Sequence, residues 1–355
     1  MDTSLTDCIN FLFFLSVPVH KNSVLLLEAN HCHGEVITGY IPYFQKLGFK
    51  VDVIISKEIQ QERPFCRHQL KNTKIFHFDY VMFGQTLKLK KILRYKHVFL
   101  MSSARYRRSG NELYTSVLRD FSCLKKLPSL FVVEHDLVDI NRFQEEDLLQ
   151  KNHLITLGHF DKGVFMCPLL FGDLKKYPKN DVTTFITVGV IDTVRKNHQA
   201  LIQAIQQLAS ENLKFKVIII GKGTLDNMPE TVRPYIQIMG RLDFPKMFDC
   251  LEKADFFLPL LDPENPEHNR YITSGVTGSA QLIYAFSKVP VLHPKFANFY
   301  GFNDDNAILT EDLAKGMRNA IQMPPEQYTQ KQQSLTDLAK QLETETFNNL
   351  KEILK

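Results

Sequence analysis

The chain has 355 residues, of which 44% are hydrophobic and 23% are charged, with 43 Lys and Arg residues against 39 Asp and Glu residues. This composition is that of a folded globular protein, and it excludes the collagen-like, disordered and disulfide-scaffold classes. The formal net charge of +4 is too small to indicate a nucleic-acid partner. At about 100–200 residues per domain, the length predicts two domains, each with its own core.

The first apolar run along the chain, 11–19, is too short to cross a bilayer, and no basic residue precedes it as in a signal peptide. We interpret it as an early core element. The six cysteines are widely spaced without a CxxC pair, which favours buried thiols in a reducing cytosol over a zinc site or a disulfide framework. We therefore expect a cytoplasmic protein.

Short runs rich in Val, Ile and Phe then alternate with stretches of helical length, which is typical of parallel α/β architecture. In the first half the predicted strands are 24–27, 51–55, 75–78, 98–101 and 130–133, with weaker ones at 154–156 and 164–166. In the second half they are 185–188, 215–220, 235–239, 256–259 and 289–292. Helices are predicted at 36–47, 112–125, 198–209, 245–252 and 279–286.

A segment rich in proline and charge, 168–182, separates the two series of strands. We therefore predict an N-terminal domain at 1–170, a second domain at 171–325 and a helical tail at 326–355. Two doubly wound domains in series place their strand carboxyl ends across a cleft, which is where ligands of such sheets bind.

The segment from Gly189 to His198 is the first that indicates chemistry. A predicted strand ends at Gly189, and Arg195 and Lys196 stand just before a predicted helix. Two cations beside a helix N-terminus can bind an anion, although a solvated turn explains the segment equally well. Gly221-Lys-Gly223 lacks the third glycine of a dinucleotide fingerprint and is better explained as a tight turn.

A loop of small and hydroxyl-bearing residues precedes the predicted helix 279–286. Its relevant members are Ser274, Gly275, Thr277, Gly278, Ser279 and Gln281. Amides at the positive end of a helix, together with hydroxyls, form a cradle suited to a diphosphate. A well-capped helix is the plainer alternative.

In their order and spacing, these segments resemble the donor-binding half of GT-B-type glycosyltransferases. The match includes the Gly189 loop with Arg195 and Lys196, Gly221-Lys-Gly223, then Gly240 and Arg241, and the loop before the last predicted helix. In the first half, the loop with Gly34 and the sequence Glu134-His135-Asp136 also fit. The resemblance covers nearly the whole chain and implies an α/β fold of two Rossmann-like doubly wound domains facing a cleft.

The resemblance implies that Lys196 and Arg195 neutralise the diphosphate of a nucleotide-sugar donor, with a UDP-sugar as the first expectation and no other cofactor. Residues 274–279 would hold phosphate, and the main chain around Gly189, Gly240 and Arg241 would border the donor. The arginine that often follows the strand glycine in the family is Val190 here.

Many retaining members carry two glutamates eight residues apart near the last helix. The second position falls at Ile283 here, and the earlier one is not a glutamate either, so Gln281 or Tyr284 would have to replace them. This departure favours an inverting transfer, which needs a general base on the acceptor side.

Four residues of the first half are candidates for this base. His33 and Glu35 follow the first predicted strand, and His135 and Asp136 follow the fifth. A capping or loop role explains each of them about as well. The sequence His31-Cys32-His33 lacks further ligands nearby, so we expect no metal site and a metal-independent reaction.

The near-neutral total charge conceals a basic patch, because residues 88–126 contain eleven Lys or Arg against two acidic residues. A solvated helical face explains the stretch 87–96, but residues 87–108 would also suit contact with an anionic membrane. The sequence thus predicts a cytoplasmic glycosyltransferase, peripheral on the inner face of the membrane, that acts on a glycan or lipid-linked oligosaccharide in surface-polysaccharide synthesis. A non-hydrolysing nucleotide-sugar epimerase and a non-catalytic nucleotide- or sugar-binding module stay open as alternatives.

Overall fold

The computed structural model describes residues 5–106, 114–127, 129–138, 153–192, 194–225 and 228–355. The chain divides into two compact units, the first formed by Met1–Gly172 with Glu343–Lys355 and the second by Asp173–Leu342. That the first unit binds the sugar acceptor and the second unit the nucleotide-sugar donor stays a prediction.

The first unit contains a parallel sheet and a small antiparallel hairpin. Its strands are β1 (Ser23–Glu28), β2 (Lys50–Ser56), β3 (Thr73–Phe78), β4 (His97–Leu100), β5 (Ala104–Tyr106), β6 (Tyr114–Ser116), β7 (Leu130–Glu134), β8 (Leu154–Thr156) and β9 (Val164–Phe165). Within the described residues the sheet order is β3-β2-β1-β4-β7-β8-β9, and β5 pairs with β6. Every residue of β1 is buried, as expected of a central parallel strand covered on both faces.

The helices of the first unit are short apart from two. They are α1 (Leu5–Ser16), α2 (Gly34–Lys46), α3 (Lys57–Gln61), α4 (Tyr80–Leu87) and α5 (Val117–Asp120), with 3₁₀ turns at Lys90–Arg94 and Ser122–Lys126. The predicted amphipathic stretch 87–96 is therefore a helix end followed by a 3₁₀ turn. Residues 107 and 108 of the predicted membrane contact lie outside the described residues.

The prediction of one helix at 112–125 is wrong for the part of this stretch that the structure describes. Strand β6, the single turn α5 and a 3₁₀ turn occupy that stretch. Phe121 ends α5 and packs against Gly84, where an added Cβ would lie 2.7 Å from the Phe121 ring. The burial of this ring outweighs the helical periodicity of the sequence.

The second unit contains one parallel sheet and the longer helices. Its strands are β10 (Thr183–Val188), β11 (Phe215–Ile220), β12 (Ile236–Gly240), β13 (Phe256–Phe257), β14 (Val289–Leu292) and β15 (Ile308–Leu309). Its helices are α6 (His198–Ser210), α7 (Phe244–Lys253), α8 (Pro266–Asn269), α9 (Gly278–Phe286), α10 (Pro294–Ala297), α11 (Leu313–Gln322) and most of α12 (Pro325–Ile353), with 3₁₀ turns at Arg233–Tyr235, Arg270–Ile272 and Asn298–Tyr300. The strand order in the described residues is β12-β11-β10-β13-β14-β15.

The C-terminal segment predicted as a helical tail is one long helix. Helix α12 belongs to the second unit as far as Leu342, and the residues from Glu343 onward belong to the first unit. There Thr346 accepts a hydrogen bond from the Cys167 amide at 2.9 Å and donates one to the Cys167 carbonyl at 3.1 Å.

The cysteines are less buried than expected. Cys167 is buried, but Cys8 and Cys66 are exposed and the other three are half-buried, all as free thiols. The run 11–19 is likewise only partly core, since Phe14, Val17 and Val19 are buried while Leu12, Phe13 and Leu15 are exposed. No helix in the described part of the chain is long and apolar enough to cross a membrane.

Candidate functional site

The second unit carries its most unusual side chain at the carboxyl end of β10. Lys196 precedes α6 and is only 6% exposed. Its Nζ donates hydrogen bonds to the Pro259 carbonyl at 2.9 Å and to Ser279 Oγ at 3.3 Å. Burial lowers the pKa of Lys196 to about 7, against a weaker opposing attraction from Asp192. Both hydrogen-bond partners of this ammonium, a backbone carbonyl and a serine hydroxyl, are neutral groups.

Ser279 is the second residue of α9, so the Lys196 ammonium lies at the positive end of that helix. The Thr277 hydroxyl caps the helix by accepting a hydrogen bond from the Ser279 amide at 3.3 Å. A buried cation and the partially positive N-terminus of a helix repel each other, and an anion bound beside them would be attracted to both and offset this repulsion. This end of α9 therefore has the electrostatics of an anion site.

Glycines make the approach of Lys196 possible. Gly189 has a φ of 143°, and a Cβ there would lie 2.7 Å from Lys196 Cε. A Cβ on Gly221 would lie 1.6 Å from the Gly189 carbonyl oxygen, and one on Gly223 would lie 2.4 Å from the Ile191 carbonyl oxygen. Gly221 and Gly223 thus form a close turn beside the end of β10, as their spacing predicted.

The loop before α9 is held by two tyrosines, Tyr284 and Tyr300, of which the sequence analysis considered only Tyr284. The Tyr300 hydroxyl donates to the Tyr271 carbonyl at 2.6 Å and accepts from the Thr277 amide at 3.2 Å. The Tyr284 hydroxyl donates to the Tyr300 carbonyl at 2.8 Å. Tyr284 therefore fixes the loop, and its hydroxyl proton is already used.

Gln281 fits a ligand-binding role better than Tyr284. Its side chain is buried, and among the described residues its Nε2 has no hydrogen-bond partner. A buried amide donor of this kind needs an acceptor from a ligand or from water. Ile283 is also buried, so α9 offers only an apolar side chain at the position of the second family glutamate.

The structure separates the two cations that the sequence places side by side. The Arg195 side chain is exposed, with Nε 3.9 Å from Asp192 Oδ2, and the Arg195 amide donates to Asp192 Oδ1 at 2.6 Å. Asn197 ends this loop by capping α6, its Oδ1 accepting from the Ala200 amide at 2.9 Å. Lys196 is thus the cation directed to α9, and Arg195 belongs to the outer side of the loop.

The remaining residues predicted to bind the nucleotide sugar lie in the loop before α9 and at the end of β12. The amides of Ser274 and Gly275 both donate to the Arg270 carbonyl, at 3.0 and 2.8 Å. Gly240 ends β12 with a φ of 66°, and a Cβ added there would meet no other atom within 4 Å. Arg241 follows it with an exposed side chain.

A second cluster of titratable groups lies in the first unit, at the carboxyl ends of β1, β4 and β7. Its centre is Glu28, which is fully buried and which the sequence analysis missed. Asn30 donates to Oε1 from its amide at 2.8 Å and from its side chain at 3.1 Å, and Ser102 Oγ donates to Oε2 at 2.9 Å. Burial raises the pKa of Glu28 to about 7, although attraction to His33 opposes this shift.

His33 interacts electrostatically with this carboxyl group and lies close to two other predicted residues. It has a φ of 68° before α2, its Nδ1 is 3.8 Å from Glu35 Oε1, and its ring centroid is 4.0 Å from that of His135. Burial disfavours the cationic form of His33, but Cys32 and Glu35 outweigh burial and hold its pKa well above the usual range. We infer a cationic His33.

The pKa of His135 is shifted in the opposite direction. Burial, together with repulsion from His33, holds its pKa well below the usual range. Its Nε2 is 3.1 Å from the Met101 carbonyl oxygen, so neutral His135 donates from Nε2. Its Nδ1 then retains a lone pair, which is what a general base requires.

The structure thus brings His33, Glu35 and His135 together, whereas Asp136 has a turn role. Asp136 Oδ1 accepts a hydrogen bond from the Val138 amide at 3.1 Å. Within the described residues, no group of three or more His, Cys, Asp or Glu side chains is arranged to hold a metal ion. The expected metal independence stays a prediction.

No protein-family model matches the chain, and no curated protein matches it. Solved structures do resemble it. A glycosyltransferase from Rickettsia africae ESF-5 is 11% identical, with a TM-score of 0.56 over 95% of this chain and 98% of that chain. An alpha-glucosyltransferase in complex with UDP is 12% identical, with a TM-score of 0.60 over 94% of this chain and 99% of that chain.

The glycosyltransferase AviGT4 of avilamycin A biosynthesis is also similar, with 11% identity and a TM-score of 0.54 over 93% of this chain and 96% of that chain. Identities this low show the fold alone. The predicted fold class is confirmed: the chain has the two-domain, Rossmann-like α/β fold of GT-B glycosyltransferases.

The protonation of Lys196 gives a prediction for anion binding, with UDP-glucose as the probe because its diphosphate has no monoester group that titrates near pH 6. A bound anion raises the pKa of Lys196 above about 7, so binding at neutral pH takes up protons and weakens as the pH rises beyond 7. Calorimetry in buffers of different ionisation enthalpy measures this uptake.

Lys196→Met is expected to abolish the proton uptake and to weaken binding about tenfold or more, because a charge-assisted hydrogen bond is lost. Lys216→Met, which changes an exposed lysine of β11 in the same unit, serves as the matched control. Equal proton uptake in the wild type and in Lys196→Met would contradict the assignment.

Proposed function

We propose that the chain is a glycosyltransferase that transfers a sugar from a nucleotide sugar, first of all a UDP-sugar, to a hydroxyl group of a glycan or lipid-linked acceptor. The observation that carries this proposal is the buried Lys196 ammonium at the N-terminus of α9. The GT-B fold supports it, since the structurally similar proteins named above are glycosyltransferases.

The donor is assigned to the second unit. When the glycosidic bond breaks, negative charge develops on the diphosphate that leaves. Lys196 and the start of α9 are positioned to stabilise that charge, and their electrostatic contribution is large because both groups lie in a poorly solvated environment. Gln281 Nε2 supplies one more buried donor on α9 for the bound nucleotide or sugar.

The acceptor is assigned to the first unit, with His135 as the general base. His135 Nδ1 takes the proton of the acceptor hydroxyl, whose oxygen attacks the anomeric carbon while the nucleoside diphosphate leaves. Cationic His33, paired with Glu35, keeps His135 neutral between turnovers. An apolar Ile283 in place of the family glutamate supports an inverting reaction, which we propose to be metal-independent.

The proposed setting is surface-polysaccharide synthesis at the cytoplasmic side of a membrane. Exposed cations in the stretch 87–108, among them Lys88, Lys90 and Arg94, support a contact with anionic lipid. A lipid-linked acceptor would be presented at such a surface.

The proposal is tested by incubating the purified chain with a panel of nucleotide sugars and measuring nucleoside diphosphate release with and without glycan or lipid-linked acceptors. Acceptor-dependent release that persists in EDTA is expected. Lys196→Met should lower kcat/KM at least about tenfold, and Lys216→Met should leave it unchanged. Binding without turnover would indicate a binding module, and a changed sugar without an acceptor would indicate an epimerase.

The role of His135 is tested by the pH dependence of transfer. Because the base must be unprotonated and its pKa is lowered, the acidic limb of the kcat/KM profile should lie at a pH below the usual histidine value of about 6.5. His33→Gln removes the repelling cation, so the acidic limb should move to higher pH. His135→Gln should lower kcat by about 10²–10⁴.

Two results would count against His135 as the base. One is wild-type kcat in His135→Gln, and the other is an acidic limb that His33→Gln leaves in place.

A further inference from the structure

Helix α1 exposes a continuous apolar face in the first unit. Leu5, Ile9, Leu12 and Phe13 are between 49% and 77% exposed, and Leu15 extends the face at its edge. Their spacing of i, i+4, i+7 and i+8 places the first four on one side of the helix. This side carries no charged residue, which is unusual for a helix in contact with water.

The opposite side of α1 fixes the helix against edge strand β3, so the apolar face cannot turn inward. Phe14 is fully buried, with its ring centroid 5.0 Å from that of Phe76. Asn10 Nδ2 is 3.2 Å from His77 Nε2, and the buried carboxylate of Asp7 pairs with Lys57. These contacts set the rotation of α1 about its axis.

A basic turn lies at the C-terminal end of this helix. Lys91, in the 3₁₀ turn Lys90–Arg94, donates hydrogen bonds to the carbonyl oxygens of Phe14 and Val17. Lys88, Lys90 and Arg94 beside it are exposed, and Leu93 is exposed among them. Cations therefore border the apolar face without interrupting it.

We propose that α1 and the turn Lys90–Arg94 form a docking surface for an anionic lipid bilayer. Leu5, Ile9, Leu12 and Phe13 enter the boundary between headgroups and acyl chains, while Lys88, Lys90 and Arg94 bind the anionic headgroups. An uncharged helix face bordered by cations is complementary to this interface. The surface adds an apolar anchor to the basic contact proposed above.

A second copy of the chain fits this surface less well. In a two-fold dimer with parallel α1 helices, the two Lys90–Arg94 turns would approach each other with like charge. With antiparallel α1 helices, each turn would lie beside the N-terminal half of the other α1, whose described carboxylate, Asp7, is buried and paired with Lys57. A bilayer instead presents opposite charge to the cations and hydrocarbon to the apolar side chains.

The proposal is tested by flotation of the full chain with vesicles of phosphatidylcholine alone or with added phosphatidylglycerol, at low and high salt. Binding to the anionic vesicles is expected. High salt should weaken it only in part, because salt screens the cations but not the apolar contact.

Ile9→Gln combined with Leu12→Gln should lower the vesicle partition coefficient at least about tenfold, since two apolar side chains that the bilayer would bury are replaced by polar ones. Tyr177→Gln combined with Val182→Gln changes two exposed apolar side chains of the second unit and should not alter it. Lys88→Gln, Lys90→Gln and Arg94→Gln together should remove the preference for phosphatidylglycerol. Lys91 is left intact because it holds α1.

Thermal melting and circular dichroism of each variant verify that it is folded. Vesicle binding needs neither donor nor turnover, so a failure here is distinguishable from a failure of the proposed glycosyl transfer. The proposal is overturned if the chain binds neither vesicle, if the α1 double variant binds like the wild type, or if ultracentrifugation shows a dimer that the α1 variant dissociates.

Discussion

The buried ammonium of Lys196 at the start of α9 is the interaction on which the candidate donor site depends. A charge removed from water is unfavourable unless it is compensated, and here the hydrogen bonds go to the Pro259 carbonyl and a serine hydroxyl, while the attraction from Asp192 is weaker than the effect of burial. The glycine at position 189 is needed because a Cβ would collide with the lysine stem. The capped ends of α6 and α9 hold the loops on either side of this group.

The first unit also buries a titratable side chain between a strand and the next helix, but this group is acidic rather than basic. Glu28 is buried at the end of β1, before α2, just as Lys196 is buried after β10, before α6. Burial moves the pKa of both groups to about 7. The difference is that Glu28 has His33 and three hydrogen-bond donors beside it, whereas the hydrogen bonds of Lys196 go to neutral groups and its attraction to Asp192 is weaker than the effect of burial. The second unit is therefore the one whose charge calls for an anionic ligand from outside.

Much of this arrangement was predictable from the sequence, because parallel strands are continuous apolar runs and their ends carry glycine or polar residues. Strand β11 occupies the predicted residues 215–220, and one of the two cations that the sequence places before α6, Lys196, is buried in the structure. The division of roles between Arg195 and Lys196 was not predictable, since it depends on the approach of α9 from a distant part of the chain. Glu28 was missed because an acidic residue at the end of a hydrophobic strand is usually exposed to solvent, and the sequence does not show that this one is buried. The outward face of α1 was missed because its apolar spacing is the same as that of a core helix.

The most direct test of this account is a crystal structure of the chain soaked with UDP. We expect the diphosphate at the N-terminus of α9, with a phosphate oxygen within hydrogen-bonding distance of Lys196 Nζ. A UDP molecule bound elsewhere, with Lys196 still bonded only to Pro259 and Ser279, would contradict the central claim.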